Sequence, residues 1–343
     1  MTMAIDFISN WRSLTTGINA FPPAPTFALK NIFKAVEKHA SDLIDWEVWT
    51  RTSKLASFVS DVEDPVPASK GTGTIYTVKI PKTSNIKMFT AAELERYKTL
   101  ANAGYTSNVN DRLQAQANYI KDELQAEYLA VARTREYLAM TLLTKGTVTV
   151  GQNTISMNYE SGKQTFTLDT THKWNATGVN PMVAIDEYKR LIGKRANAVP
   201  NICILGEKAA KAFVSNADVR AELNANNFRT GVLDLTQGIT DGSVIYLGTI
   251  RGMGFYEYLG NYDLSGTATD IMDTNSIVML ATDDSFRLHK APIVKTDGVF
   301  QDDIYVRVAE DPYGNWKSWV IEQKSLPIVH NKNLVICSKV ITA

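Results

Sequence analysis

The chain has 343 residues, with 36 basic and 36 acidic side chains, so its formal net charge at pH 7 is zero. A protein whose main partner is nucleic acid or an anionic membrane usually carries a basic surplus, so this balance argues against both classes of partner. No run of about 18 apolar residues is present, which predicts that no helix spans a membrane. The length indicates two domains or one large elaborated domain.

The first 45 residues are predicted to form an arm rather than a domain. Prolines at positions 23 and 25 bias the residues before them toward extended conformations, so this piece should lie along another surface. A short amphipathic helix is expected to follow it. The apolar face of that helix would contain Leu29, Ile32, Phe33 and Val36.

Residues 46–90 are predicted to form a long β-hairpin. Apolar and polar side chains alternate along residues 46–50 and again along 74–80, and turn-forming residues fill 64–73 between them. An isolated two-stranded ribbon is marginally stable, so this hairpin must lie on another surface. One candidate surface is a neighbouring copy of the same chain.

A single long helix is predicted from Ser107 to Lys145. At ~1.5 Å per residue a helix of about thirty residues reaches ~45 Å, several times the usual three turns. Gly146 follows it where a C-terminal cap is expected. The side that carries Arg133 and Glu136 bears charges of both signs and is expected to face water. The apolar stripe consists of Leu113, Ala117, Ile120, Leu124, Tyr128, Val131, Leu138 and Leu142.

The remaining pattern is mixed, and residues 181–289 have the character of an inserted unit with a small α/β core. Helices are predicted at 181–193 and 207–223. Strands are predicted at 147–150, 154–159, 165–168, 202–205, 244–247, 254–258, 276–281, 316–323 and 334–340.

The two cysteines, Cys203 and Cys337, lie far apart in apolar runs. This placement predicts buried free thiols in a reducing compartment rather than a disulfide. The first six residues lack the basic and apolar segments of a secretion signal, so a cytoplasmic location is expected.

No catalytic, cofactor or metal site is predicted from residue spacing. The histidines show no metal-ligand spacing with each other, with the cysteines or with carboxylates. The adjacent acidic pairs at 283–284 and 302–303 would point to opposite faces of a strand, which makes them poor acid and base partners. The four histidines are His39, His172, His289 and His330.

The order of these elements resembles the major capsid proteins of tailed bacteriophages, which have the Hong Kong 97-type fold, and most closely the lambda-type major head protein. The resemblance is carried by residues 122–148, where a charged helix runs directly into a strand, by 273–281, and by 311–316 leading through 325–329 to the end. It spans nearly the whole chain in order.

The resemblance implies an α+β fold with named parts, and it implies no catalytic residues, no cofactor and no metal. The parts would be an N-terminal arm (1–45), an extended loop (46–90), a spine helix with the first part of a peripheral domain (91–180), an axial domain (181–289) and return strands of the peripheral domain (290–343).

The function implied by the resemblance is structural. Identical subunits would form hexamers and pentamers of an icosahedral head that encloses double-stranded DNA through weak, non-specific contacts and without a membrane. No long N-terminal extension precedes the arm to act as an attached scaffold, so a separate scaffolding protein is expected, together with a portal and a possible decoration protein. Assembly is expected in the bacterial host cytoplasm, and the final location is the virion.

Apolar residues of the arm and the hairpin are expected to bury more area between subunits than within one, because projecting elements place their surface on neighbours. The predicted contact residues are Phe21, Leu29, Phe33, Trp46, Trp49, Ile75, Tyr76 and Val78.

Two alternatives stay open at this point. An encapsulin-like compartment uses the same architecture to hold a cargo enzyme, and a cargo-binding groove inside the shell would distinguish it. An α+β enzyme acting on a small molecule would use a carboxylate such as Asp283 or Asp302 as its base. The enzyme alternative predicts a monomer or small oligomer with a polar pocket.

Overall fold

A computed structural model of the chain describes residues 26–49, 73–93, 109–150, 153–230, 244–264, 267–295, 298–300 and 304–342. These residues form an α+β fold, as predicted. None of the helices among them combines the length and apolarity needed to cross a bilayer.

The helices are α1 (Phe27–Asn31), α2 (Val109–Lys145), α3 (Pro181–Ala196), α4 (Glu207–Ser215) and α5 (Ala217–Thr230), with a short 3-10 helix at Lys332–Leu334. The strands are β1 (Ala35–Lys38), β2 (Leu43–Trp49), β3 (Gly73–Lys79), β4 (Lys82–Thr90), β5 (Thr147–Val150), β6 (Asn153–Ser156), β7 (Thr165–Thr167), β8 (Ile202–Leu205), β9 (Val244–Ile250), β10 (Met253–Tyr258), β11 (Asn261–Leu264), β12 (Thr267–Asp270), β13 (Ser276–Leu280), β14 (Phe286–Lys290), β15 (Ile293–Lys295), β16 (Gly298–Phe300), β17 (Tyr305–Glu310), β18 (Trp316–Val329) and β19 (Val335–Lys339).

The first sheet is organised by the long strand β18. Its first part pairs antiparallel with β4 on one side and with β17 on the other, and its last part pairs antiparallel with β14. Strand β1 then adds to β14 in parallel. A single strand thus connects the base of the predicted extended loop to the N-terminal segment.

The second sheet has the strand order β7-β19-β13-β8-β10-β9. Strands β8, β9, β10 and β13 come from the predicted axial segment, whereas β7 and β19 come from outside residues 181–289. Successive side chains of β19 point to opposite faces. Cys337 contacts Leu143 of α2, and Ser338 contacts Tyr188 of α3, so the two helices cover opposite faces of this sheet. The domain limits at 181 and 289 stay a prediction.

The spine helix is confirmed as one continuous element from Val109 to Lys145. Gly146 ends it in the left-handed conformation (φ 66°), and its N–H donates to the Leu142 carbonyl at 2.9 Å. A side chain at this position would also overlap the ring of Tyr159. Glycine is therefore required at the cap, as the sequence predicts.

One part of the charged side of α2 does not face water. Glu136, which was predicted on that side, is buried. The Glu136 carboxylate accepts hydrogen bonds from the backbone N–H of Ala28 at 2.7 Å and of Leu29 at 3.2 Å, and from the Tyr258 hydroxyl at 3.5 Å. A residue expected in solvent thus joins α1, α2 and β10, because it satisfies polar groups that would otherwise be buried without partners.

The predicted N-terminal amphipathic helix is shorter than expected. It ends at Asn31, and Val36 lies on β1 with half of its side chain exposed. The backbone of residues 35–38 pairs with β14, from Ala35 opposite Arg287 to Lys38 opposite Lys290. Strand pairing satisfies these backbone groups and overrides the helical spacing of the apolar residues.

The thiols of Cys203 and Cys337 are free and buried, as predicted. Burial raises the pKa of both thiols well above the usual value. The Cys337 thiol donates to the carbonyl of Leu143 at 2.8 Å. Both cysteines therefore act as small core residues.

Candidate assembly surface

The element predicted to reach neighbouring subunits is the hairpin formed by β2 and β3. The strands pair antiparallel with Leu43 opposite Lys79 and Trp49 opposite Gly73, which confirms the predicted hairpin. Within the described part of the chain, these two strands form a sheet of their own. Both outer edges of the ribbon therefore carry backbone donors and acceptors without a strand partner in that sheet.

The base of the hairpin is fixed to the body. Ile44 and Ile80 are buried in the main core, and Val78 packs partly against it. The Ile80 N–H donates to the Asp42 carbonyl at 2.7 Å, and the Asp42 carboxylate lies 3.2 Å from the Lys324 ammonium. The hydrogen bond from Lys324 lowers the pKa of Asp42 below its usual value. The ribbon thus leaves the body from a rigid base.

The predicted contact residues of the hairpin occupy its paired strands. Trp46 lies opposite Tyr76, Ile75 lies opposite Glu47, and Trp49 lies at the end of the described part of β2. Their contribution to contacts between subunits stays a prediction.

The predicted contact residues of the arm have different positions. Phe21 lies outside the described residues. Leu29 is half-buried against the main core. Phe33 is 1% exposed, and its ring packs edge to face on Phe286 at a centroid distance of 5.8 Å. Since Phe33 has almost no area left for a neighbour, it is not part of the contact surface proposed below.

Strand β4 adds an exposed apolar surface that the sequence analysis did not predict. On its inner side, Lys87 binds Glu123 of α2 at 2.6 Å, and Phe89 is buried against Trp319. On its outer side, Ile86 is 62% exposed and Met88 is 53% exposed. Exposed pairs of large apolar residues on an edge strand are typical of a surface that another chain covers.

The hairpin of β15 and β16 carries a second exposed apolar pair. Val294 lies opposite Val299, and both are more than half exposed. Lys295 of this hairpin and Lys82 of β4 bind the same carboxylate, that of Glu322. The two apolar pairs therefore belong to elements that meet at one residue. We call Ile86, Met88, Val294 and Val299 the outer apolar group.

Glu322 holds these elements together as a buried carboxylate between two lysines. Its side chain is 2% exposed, with Lys82 at 2.6 Å and Lys295 at 2.8 Å. Burial raises the pKa of Glu322, but the hydrogen bonds from Lys295 and Lys82 outweigh that effect, so the pKa lies below the usual 4.5. The carboxylate is therefore ionised at neutral pH and compensated by both ammonium groups.

Replacing this carboxylate is expected to make stability less dependent on pH. The folded-state pKa lies below the unfolded value near 4.5, so Glu322 stabilises the fold above that pH and loses its contribution as the pH falls through the folded pKa. The variant Glu322→Gln should lose about 1–3 kcal/mol of unfolding free energy at neutral pH and less at about pH 3. Urea denaturation of unassembled subunits measures both differences.

The matched control for that variant is Glu310→Gln on the neighbouring strand. Glu310 pairs with Lys317 at 2.7 Å, but both side chains are about half exposed, so its loss should change stability by less than about 1 kcal/mol. An equal loss for Glu322→Gln at both pH values would contradict the assignment of an ionised, pH-dependent carboxylate.

The structure also brings together three histidines that lie far apart in the sequence. The Nε2 atom of His39 lies 2.7 Å from Nδ1 of His289, and Nε2 of His289 lies 3.1 Å from Nε2 of His330. Residue spacing missed this group, because the pairing of β1 with β14 brings His39 to His289, and the pairing of β14 with β18 brings His330 to it. The fourth histidine, His172, lies on the surface and binds Asp169 at 2.7 Å.

The carboxylates named as possible catalytic bases are placed differently. Asp283 is exposed, and its carboxylate accepts a hydrogen bond from the Ser285 N–H at 2.7 Å in the turn before β14. Its position is explained by that turn. Asp302 lies outside the described residues.

Comparison with protein families gives one match over nearly the whole chain. The model of the family described as phage major capsid protein E matches residues 10–340. No curated protein sequence matches the chain significantly.

Comparison with solved structures finds similar folds at full length. A protein provisionally described as the capsid protein of an E. coli CFT073 prophage has a TM-score of 0.69 and 16% identity, with 97% of this chain and 99% of that chain covered. The capsid of a native GTA particle has a TM-score of 0.50 and 14% identity, with coverages of 92% and 90%. The SrpI encapsulin of Synechococcus elongatus PCC 7942 has a TM-score of 0.50 and 12% identity, with coverages of 93% and 90%.

Proposed function

Because the chain belongs to the phage major capsid protein E family, we propose that it assembles into the hexamers and pentamers of an icosahedral head that encloses double-stranded DNA. Its fold is the Hong Kong 97-type fold of phage capsid proteins, and its role is structural. The hexamers, the pentamers and the enclosed DNA are the parts of this proposal that go beyond the family assignment.

The observation that carries the proposal is a two-stranded ribbon whose base is buried in the body and whose two strands form a sheet of their own within the described residues. Ile44 and Ile80 are buried in the body, whereas the paired strands of β2 and β3 extend from there without another strand beside them in the described residues. A two-stranded ribbon gains stability by covering a further surface. A neighbouring subunit supplies such a surface at every position of a closed shell.

We propose that two groups of residues form the contacts between subunits. The first is the arm and hairpin group, which consists of Phe21, Leu29, Trp46, Trp49, Ile75, Tyr76 and Val78. The second is the outer apolar group, defined above.

Net charge supports packing of many copies and weak binding of DNA. With 36 basic and 36 acidic side chains, identical subunits do not repel one another through a shared net charge. The same balance gives little general attraction for phosphates, so contacts with the enclosed DNA would be weak.

Further partners follow from this role. We propose a separate scaffolding protein, a portal at one vertex and a decoration protein as partners, with assembly in the cytoplasm of the bacterial host. Co-purification of unassembled subunits with a scaffolding protein would support the first of these.

Electron microscopy of the purified full chain tests the proposal. The wild-type protein should form closed particles or capsomers, and the double variant Ile86→Arg, Met88→Arg should remain as small, folded species, because two buried cations would be desolvated at the contact. The matched double variant Ile86→Leu, Met88→Leu keeps the apolar area and should assemble. Isolated wild-type monomers at every concentration would overturn the proposed shell.

An encapsulin-like compartment is the second candidate, and its support is the fold similarity to the SrpI encapsulin. The two candidates differ in what the particle contains. Nucleic acid in purified native particles supports the phage head, whereas a folded cargo protein without nucleic acid supports the compartment.

A further inference from the structure

A cluster of four ionisable side chains lies where the N-terminal segment meets the body. Glu37 on β1 is the register partner of His289 on β14. His330 follows the last residue of β18, and its N–H donates to the Ser285 carbonyl at 2.9 Å. His39 follows β1, and its N–H donates to the Lys290 carbonyl at 2.9 Å. Backbone hydrogen bonds therefore hold all three chain segments in place.

His289 is the centre of this cluster. Its side chain is 3% exposed, with His39 on its Nδ1 side at 2.7 Å and His330 on its Nε2 side at 3.1 Å. In its neutral form an imidazole ring has one nitrogen that carries a hydrogen and one that offers a lone pair.

The two ring nitrogens of His289 are placed as in a metal-binding histidine: Nδ1 faces a hydrogen-bond partner, His39, and Nε2 faces a second possible ligand, His330. A metal-bound histidine usually donates its other N–H to a nearby acceptor, which fixes the ring. If Nδ1 of His289 donates to His39, then Nε2 of His289 is left with its lone pair, and Nε2 of His330 lies 3.1 Å from it. Nitrogen ligands at about 2.0–2.1 Å from a tetrahedral zinc ion lie about 3.3 Å apart, close to the observed 3.1 Å.

Glu37 supplies the third ligand. One ligand atom each of Glu37, His289 and His330 can be chosen so that all three lie within 4.8 Å of one another. In the structure Oε2 of Glu37 accepts a hydrogen bond from Arg287 at 3.0 Å and lies 4.0 Å from Nδ1 of His289, and Oε1 lies 3.9 Å from Nε2 of His39, so the carboxylate must rotate to bind an ion between the two Nε2 atoms. The Glu37 side chain is 40% exposed, so it has room to rotate toward the two imidazoles.

We propose that Glu37, His289 and His330 bind one divalent transition-metal ion of the zinc class, with His39 as the positioning residue for His289. Two imidazoles and one carboxylate are ligands suited to zinc and leave a fourth position for water. The ion would join β1 to the end of β18. Since β1 connects α1 to the hairpin of β2 and β3, this would fix the direction in which the hairpin leaves the body.

Zinc titration of the tag-free full chain tests the site after treatment with a chelator. Calorimetry should show one Zn²⁺ per chain, and the melting temperature should rise when Zn²⁺ is added. His330→Gln and Glu37→Gln should each weaken binding at least about tenfold. These side chains lie at the edge of the cluster, so circular dichroism without metal should show that both variants stay folded.

The matched control is His172→Gln, which removes the surface histidine outside the cluster. It should bind Zn²⁺ as the wild type does. Absence of Zn²⁺ uptake by the wild type, or unchanged affinity in His330→Gln, would overturn the site and leave the histidines as a hydrogen-bonded group only. The site lies within one chain, so its test does not depend on whether shells form.

Discussion

Replacing residues 50–72 by the dipeptide Asn-Gly is expected to leave a folded subunit that no longer closes into shells. Trp49 lies opposite Gly73 in the hairpin, so a two-residue turn can join the strands at this point. Asn-Gly favours the turn whose twist matches the two strands. The buried base at Ile44 and Ile80 stays unchanged, so the body keeps its core while the ribbon loses its reach.

Sedimentation and electron microscopy measure the assembly of this variant, and its melting temperature reports the fold. We expect small soluble species with a melting temperature within a few degrees of the unassembled wild type. A second variant keeps the length of residues 50–72 but replaces them with a glycine and serine linker, which separates loss of reach from loss of side chains. Closed particles formed by the Asn-Gly variant would refute the role of the hairpin in contacts between subunits.

The variant Trp319→Ala is expected to lose about 3–5 kcal/mol of unfolding free energy. Trp319 is fully buried, and its ring packs edge to face on Phe89 at a centroid distance of 4.9 Å. It lies in the separate core between α2 and the first sheet, with Leu124 and Val131 of the helix and Ile321 of the same strand. Truncation would leave a cavity that the paired strands on both sides of β18 prevent from closing.

Urea denaturation of unassembled subunits, followed by circular dichroism, measures this loss. The matched control is Trp316→Ala, which removes the same side chain at the half-buried start of the same strand and should cost clearly less. Equal losses for the two variants would show that the core between α2 and β18 does not stabilise the subunit as described.

Local pattern was sufficient where an element carries its own signal. The spine helix follows from the spacing of apolar residues along residues 107–145, and its end follows from Gly146, which the structure places in the left-handed conformation. The hairpin follows from alternation on both sides of a turn-rich segment. The buried thiols of Cys203 and Cys337 follow from their apolar surroundings.

Local pattern failed where a distant partner decides the structure. Val36 has helical spacing from Phe33, yet it lies in strand β1, whose backbone pairs with β14. Glu136 has the charge of a surface residue, yet it is buried against the N–H groups of Ala28 and Leu29. Residues 82–90 were predicted as part of the hairpin, yet they form strand β4, whose pairing with β18 is the longest in the first sheet.

The sequence by itself determined the length of the spine helix, the pairing of the hairpin and the absence of net charge, because these depend on neighbouring residues or on composition. Only the tertiary structure decided which strands pair and which side chains meet. Glu322 forms ion pairs with Lys82 and Lys295, and His289 contacts His39 and His330. These partners lie far apart in the sequence, so no local pattern predicts that they meet. Such sites arise from long-range strand pairing, which depends on the free energy of the whole fold rather than on the preferences of any one segment.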